Sequence, residues 1–466
     1  MNRNWQQNRI TDLEWAQYKR MTELYSADPG IRKRICENIE EVLQEWDFQL
    51  DPVLCKEAIF LQYQQQADTA KENPYYREYV QRFLEIGDFV NKKHAPEYFA
   101  DSDMWKWNQT VSNRLRMENR YLRSHRNIRY YPVNFELSDG CSVQCPFCGI
   151  AAPRWKADFL YTKENATLWR EVLQVVREQI GEISSTGICY FATGPMDNPD
   201  YEKFLLDYYQ VLGDYPQTTT AVADRCPERI RDLIRQIGPR RMRYAAIRFS
   251  VRTLPQFYRI MKEFSAEELK DIEVLTNNPE SDSRYAVSGR TRENIKNYPA
   301  DKLSYVHTIS CVAGYKINMA NKTVTFMEPE RPSDRYPNGI REYECRQFDS
   351  AAELKSILHQ MSKQWVMGDI PIDRPLCWNS YITISREERV VYFTGDHIQC
   401  KLTGNLYFYE SIKCIEQHMT FEEICAKFHI GDLVAADLMD KLNLLYHRGY
   451  LQIYGGDRIN ELNFKL

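Results

Sequence analysis

Between residues 133 and 312, short apolar runs of β-forming residues alternate with amphipathic helical stretches, a pattern suited to a parallel sheet flanked by helices. The runs predict six strands, at 133–137, 188–192, 218–223, 246–251, 272–276 and 306–312. Between them Leu168, Val172, Val175, Val176 and Ile180 recur at helical spacing, and Pro227 opens a second helix through Ile230, Leu233, Ile234 and Ile237. Six β/α units make a partial barrel, not the closed barrel of eight, and reactive groups are expected at the carboxyl ends of its strands. The expected fold class is α/β, with a partial (β/α)6 barrel over 129–318.

The flanks differ. Residues 1–128 read as helical and contain only Gly30 and Gly87, so they hold no glycine-rich nucleotide-binding unit. Asp28 can cap a helix that Pro29 opens and Ile31, Ile35, Ile39, Val42, Leu43 and Trp46 line; Asp51-Pro52 marks a second start. Residues 319–378 read as an irregular bridge, with PERPSDRYPNG near its start and a helix at 351–365. In 379–466, a hairpin at 381–385 and 390–393 is followed by a strand at 397–402. Helices are then expected at 407–417, 421–428 and 433–447, with Thr420 and Asp432 as caps and Gly449 as a stop, so the segment reads as a winged-helix-like module.

Composition excludes several classes. With 61 basic against 65 acidic residues, a net charge of -4 gives no electrostatic drive toward nucleic acid or an anionic membrane surface. The N-terminal MNRNWQQNRI has no apolar core for a secretion signal, no apolar run nears 18 residues, and a cytoplasmic location is expected. Thirteen cysteines, odd in number and scattered, argue for reduced thiols, while 31 Tyr and 9 Trp favour aromatic-lined grooves.

Cys141, Cys145 and Cys148 are the exception to that scatter. They form the loop CSVQCPFC directly after the first predicted strand. Three thiolates within eight residues can share one metal centre, and sulfur favours iron–sulfur clusters or zinc. Structural zinc takes four ligands, usually as two pairs, and neither a second CxxC nor an HxxxH follows. On a [4Fe–4S] cluster three ligands leave one iron open to a small molecule.

With Phe147 before its last cysteine, the loop resembles the motif of the radical S-adenosylmethionine (SAM) superfamily, and the resemblance covers 135–315. It implies that the three cysteines hold a [4Fe–4S] cluster, that SAM chelates the open iron, and that a 5′-deoxyadenosyl radical formed from SAM abstracts hydrogen from the substrate. It also assigns Ala192, Thr193, Gly194 and Asp197 to the turn that binds the SAM amino group, where the family's usual glutamate is missing. Arg248 and Ser250 match the family's R-x-S pattern near the SAM carboxylate and ribose.

Cys377, Cys400, Cys414 and Cys425 stand too far apart for an auxiliary cluster. The C-terminal module resembles the winged-helix domains that bind leader peptides by strand addition. A DNA reader needs a basic recognition helix, whereas 433–447 sets Asp437 and Asp440 against Lys441. CPFCGIAAP, GYKINM, TVTFMEPERPSDRYPNG and GPMDNPDYEKF together resemble the proteusin-type radical SAM peptide epimerases, which convert L- to D-residues in a ribosomally made precursor. That family implies a cysteine thiol returning hydrogen to the face opposite the abstraction. Cys377 is the first candidate and Cys311 the second, ahead of Cys345 and Cys400. Expected partners are the precursor peptide and an electron donor such as flavodoxin or ferredoxin. The rival readings are a radical SAM enzyme that cross-links a peptide or excises a residue, and a non-catalytic iron–sulfur or zinc protein that binds peptides.

Overall fold

Pro29, Pro52 and Pro74 each open a helix at the position where a missing N–H costs nothing. The computed structural model describes residues 9–64, 72–118, 129–305, 310–395 and 398–454. Among the described residues five α-helices precede the first strand: α1 Asp12–Ala27, α2 Pro29–Glu45, α3 Pro52–Gln64, α4 Pro74–Lys93 and α5 Ser102–Glu118. Asp28 caps α2 by accepting from the N–H of Gly30 and Ile31, as its place before proline predicts. Buried donors fix α1 to the body: Trp15 Nε1 donates to the Lys270 carbonyl at 3.0 Å, and Arg20 to those of Met261 and Phe264 at 3.0 and 2.9 Å.

The body is a mixed, open α/β arrangement; no barrel closes among the described residues. Its longer strands are β1 Tyr131–Glu136, β2 Thr218–Thr220, β3 Ile247–Val251, β4 Glu273–Thr276, β5 Val312–Asn318, β6 Thr323–Pro329 and β7 Ile340–Gln347. Parallel β4, β3 and β2 lie side by side. Ile188 bridges Gln217, beside β2, to Asn134 of β1, and β5, β6 and β7 continue beyond β1. The flanking helices are α6 Lys163–Ile180, α7 Tyr201–Leu212, α8 Pro227–Ile237, α9 Leu254–Glu263 and α10 Ala351–Trp365. Val172, Val175, Val176 and Ile180 of α6 are buried, matching their helical spacing.

Three expectations are corrected. Only Ile188 of the predicted strand 188–192 pairs; Thr193 donates back to the Tyr190 carbonyl, and the N–H of Ala192 goes to a carboxylate instead of a neighbouring strand. The predicted sixth strand at 306–312 is displaced: 306–309 lie outside the described residues, and the strand found at Val312–Asn318 runs parallel to β1 on the side away from Ile188. Its approach requires Gly314, at φ +145°, where a Cβ would fall 2.0 Å from the Pro132 carbonyl oxygen. The stretch after 319, expected to be irregular, contains the antiparallel pair β6–β7, whose turn carries Pro332 and Pro337 while Pro329 ends β6.

The C-terminal module has its own core of Leu376, Val391, Phe393, Phe408, Ile415, Leu442 and Leu445. β8 Leu376–Trp378 pairs antiparallel with β12 Leu451–Ile453. Between them β9 Thr383–Glu387, β10 Val390–Thr394 and β11 Gln399–Thr403 form a three-stranded meander. Then come α11 Leu406–Glu416, α12 Phe421–Lys427 and α13 Asp432–His447. Thr420 and Glu423 make a reciprocal cap on α12, and His397, the expected start of the third strand, lies outside the described residues. No described helix is long and apolar enough to cross a membrane.

Candidate active site

Beyond β1 the chain makes an excursion that a short antiparallel ladder closes, with Ser138 opposite Asp158 and Asp139 opposite Ala157. The cysteines sit on this excursion, at the carboxyl end of a strand with a parallel neighbour, where a parallel sheet is expected to present reactive groups. The loop is held by its own polar groups. Gln144, itself at φ +50°, donates through Nε2 to the carbonyls of Cys141 at 2.7 Å and Pro153 at 3.0 Å, and Ala152 N–H points to Cys148 Sγ at 3.4 Å.

Arg290 clamps the loop from the far side of the chain. Its guanidinium donates to the Cys145 carbonyl at 3.1 Å and to Gln144 Oε1 at 2.7 Å, and to the Ala152 carbonyl, while its main-chain N–H donates to the Cys148 carbonyl at 2.9 Å. Gly289, at φ +50°, permits this contact, because a Cβ there would lie 2.5 Å from the carbonyl oxygens of Cys148 and Gly149. Neither residue stands out in the sequence, since their role rests on a contact spanning more than a hundred residues.

The three thiols are neither fully buried nor fully exposed. Burial raises the pKa of Cys141 and pushes that of Cys145 up to about 11, and each responds to the charge of Cys148. Arg252 and Arg290 pull Cys145 the other way. Arg252 Nε is buried with no hydrogen-bond partner among the described residues. No three His, Cys, Asp or Glu among the described residues are grouped to chelate a single metal ion. A fixed loop of three thiols beside an orphaned guanidinium donor nonetheless fits a thiolate-held cluster with an anionic co-ligand, because a metal reverses the penalty on thiolates and a carboxylate satisfies the arginine.

The other predicted residues fall into distinct groups. Phe147 packs against Tyr285, with centroids 5.9 Å apart. Ala192 donates its N–H to Glu136 Oε1 at 2.9 Å, while Asp197 receives Ser142 N–H at 2.8 Å and Ser142 Oγ at 2.5 Å. Asp197 therefore ties the turn carrying Ala192, Thr193 and Gly194 to the cysteine loop, with both its oxygens engaged. Ser250 accepts from Asn277 at 3.0 Å. Arg248 lies two residues behind it, donating to Thr219 at 3.0 Å and to the Tyr190 hydroxyl. The arginine that acts on Cys145 is Arg252, not Arg248.

Glu136 was not singled out from the sequence. Only 3% exposed, it accepts from Ala192 and, through Oε2, from Asn318 Nδ2 at 3.0 Å, joining β1, β5 and the turn. A lone glutamate inside an apolar strand was the available signal.

The two candidate donor thiols are apart from this group. Cys311 precedes β5 and its carbonyl accepts from Tyr131 at the start of β1, so it lies near the amino end of the strands, roughly 20 Å along β5 from Asn318. Cys377 lies on β8 opposite Gln452, in the field of Arg341, Arg114 and Glu330. Burial raises the pKa of Cys311 and pushes that of Cys377 up to about 11, so both hold their proton at neutral pH. Cys345 is exposed and Cys400 is buried in the module core.

No family model matches the chain. The chain is 29% identical over 451 residues to the uncharacterized protein y4wI of Sinorhizobium fredii (strain NBRC 101917 / NGR234), an alignment covering 91% of this chain and 85% of that protein. Among solved structures, the crystal structure of BtrN in complex with AdoMet and 2-DOIA aligns with a TM-score of 0.32 and 11% identity, over 51% of this chain and 87% of that one.

Proposed function

We propose that the chain is a radical SAM peptide epimerase that inverts L-residues of a ribosomally made precursor. The observation that carries the reading is the loop of Cys141, Cys145 and Cys148 at the carboxyl end of β1, with the partnerless Nε of Arg252 beside it. When bound, a [4Fe–4S] cluster and SAM supply the one-electron chemistry that takes a hydrogen atom from an unactivated carbon.

The chain's own residues do the rest. Cys141, Cys145 and Cys148 hold the cluster, and Gln144 and Arg290 fix the main chain between them. Arg252 receives the carboxylate of SAM, and the turn at Ala192–Gly194, pinned by Glu136 and Asp197, presents main-chain groups to the SAM amino group. A protonated thiol, Cys377 before Cys311, returns hydrogen to Cα, and a planar carbon radical is inverted only if that donor is fixed on the opposite face. Among the described residues the two outer edges of the meander β9–β11 are unpaired and three helices follow it, an arrangement suited to leader binding by strand addition.

Anaerobic reconstitution with iron, sulfide, SAM and dithionite tests the reading. It predicts 5′-deoxyadenosine, abolished by replacing any one loop cysteine with alanine; no 5′-deoxyadenosine from the reconstituted wild type would exclude it.

A further inference from the structure

A cleft of about 670 Å³ opens between α5, β7, the segment 373–375 and β12, sharing no lining residue with the cysteine loop. Its acids are largely spoken for. Glu328 is paired with Arg114 at 3.1 Å and Arg341 at 3.3 Å, and Glu342 with Lys316 at 3.1 Å. Arg335 and Arg374, which also line the cleft, make no ion pair among the described residues. Arg335 lies over Tyr336 at 5.4 Å; Arg374 lies over Trp365 at 5.8 Å and donates one guanidinium bond to the neutral Gln364 carbonyl at 2.9 Å. Against these two cations stands Asp373 alone, so the wall keeps a positive excess.

Two further features point to a ligand with main-chain character. Thr110 is 6% exposed and lines the cleft, yet its hydroxyl has no hydrogen-bond partner among the described residues; nor does Arg341 Nε. Among the described residues β12 pairs with β8 alone, on one side, and its three residues line the cleft. Tyr454 donates to the Pro375 carbonyl at 2.8 Å, and Asn379 to that of Tyr450 at 2.9 Å. By antiparallel alternation Tyr450, Gln452 and Tyr454 direct their main-chain groups to β8, so Leu451 and Ile453 direct theirs to the other edge.

We propose that this cleft binds an extended acidic peptide segment as a third strand on β12, with its carboxylates on Arg335 and Arg374. The inference rests on the peptide-modifying reading and deepens it, because the segment is then part of the precursor. A strand added to β12 lies two strand spacings, roughly 10 Å, from the main chain of β8, where Cys377 sits opposite Gln452. Docking here brings substrate to the strand that carries the first candidate thiol.

The test uses the full-length protein without SAM. The probe is a short acetylated, fluorescein-labelled peptide in which glutamate alternates with valine, read by fluorescence anisotropy beside the same peptide with lysine for glutamate. The glutamate peptide binds, more weakly as salt rises, and the lysine peptide does not. The double variant Arg335→Ala/Arg374→Ala weakens binding roughly tenfold or more, while Arg335→Lys/Arg374→Lys retains most of it. Ile453→Pro, which removes an N–H from the outer edge only, also weakens binding, and a thermal melt of each variant verifies its fold. Equal binding of the two peptides, no binding of the glutamate peptide, or folded alanine and proline variants that bind like wild type would overturn the proposal. A protein that binds the peptide here but forms no 5′-deoxyadenosine keeps the cleft and loses the radical SAM reading; the converse result loses only the cleft.

Discussion

Arg290 reaches the cysteine loop through three guanidinium bonds and one main-chain bond, so removing its side chain frees the main chain between Cys145 and Ala152. Arg290→Ala is expected to lower iron affinity roughly 10- to 100-fold, measured as iron retained per chain against a chelator, with little change in melting temperature. The thiols make a separate prediction. If Cys377 is the hydrogen donor, Cys377→Ala cleaves SAM within about twofold of wild type and inverts the peptide at least roughly a hundredfold more slowly. Unimpaired inversion moves the role to Cys311, whose thiol is likewise held protonated by burial.

Among the elements, the hairpin β6–β7 carries the largest buried ionic group near the cleft. Burial alone would raise the pKa of Glu328, but Arg114, Arg341 and the Tyr343 hydroxyl, 2.7 Å away, hold it below the usual carboxylate range. A carboxylate depressed in the folded state stabilises fully above its unfolded value, about 4.3 for glutamate, and loses that contribution as pH falls through the folded value. Glu328→Gln is expected to cost about 3–5 kcal/mol at neutral pH by leaving Arg114 and Arg341 to share Glu330, 3.8 and 3.0 Å from them, and to flatten the acid limb of stability against pH in denaturant titrations. Unchanged stability at neutral pH would show that Glu330 alone suffices for both arginines.

This hairpin was also the least legible element. Prolines in PERPSDRYPNG suggested irregularity, yet Thr323–Pro329 and Ile340–Gln347 pair on either side of the turn that contains most of them. A segment that carries its own signal is legible in the sequence, as at Asp28-Pro29 and at the valine spacing of α6. An element defined by its neighbours is not: 188–192 lacks a strand because Glu136 captures the Ala192 N–H, and β5 lies beside β1 because Gly314 lets the two backbones approach.

Over the whole molecule, the cysteine motif and the parallel β/α organisation were visible in local spacing, whereas the supports of the site were not. Arg290 meets Cys145 from 145 residues away, and Glu136 meets Asn318 from 182. Such contacts leave no periodic trace in one sequence. The structure divides the predicted residues into the cysteine loop, clamped by Arg290 and faced by Arg252, the pair Arg248 and Cys311, whose charges interact, and Cys377 beside the arginine-lined cleft. Inversion of a residue requires the first of these and one of the thiols to act on opposite faces of the same peptide carbon.

Co-expression with the precursor peptide in D₂O, followed by mass spectrometry and chiral analysis of the hydrolysed product, tests that requirement most directly. An epimerase leaves one deuterium on Cα of each altered residue, with the D configuration and no other change in composition. Loss of two hydrogens from the peptide, or a product that is unlabelled and entirely of L configuration, would contradict it.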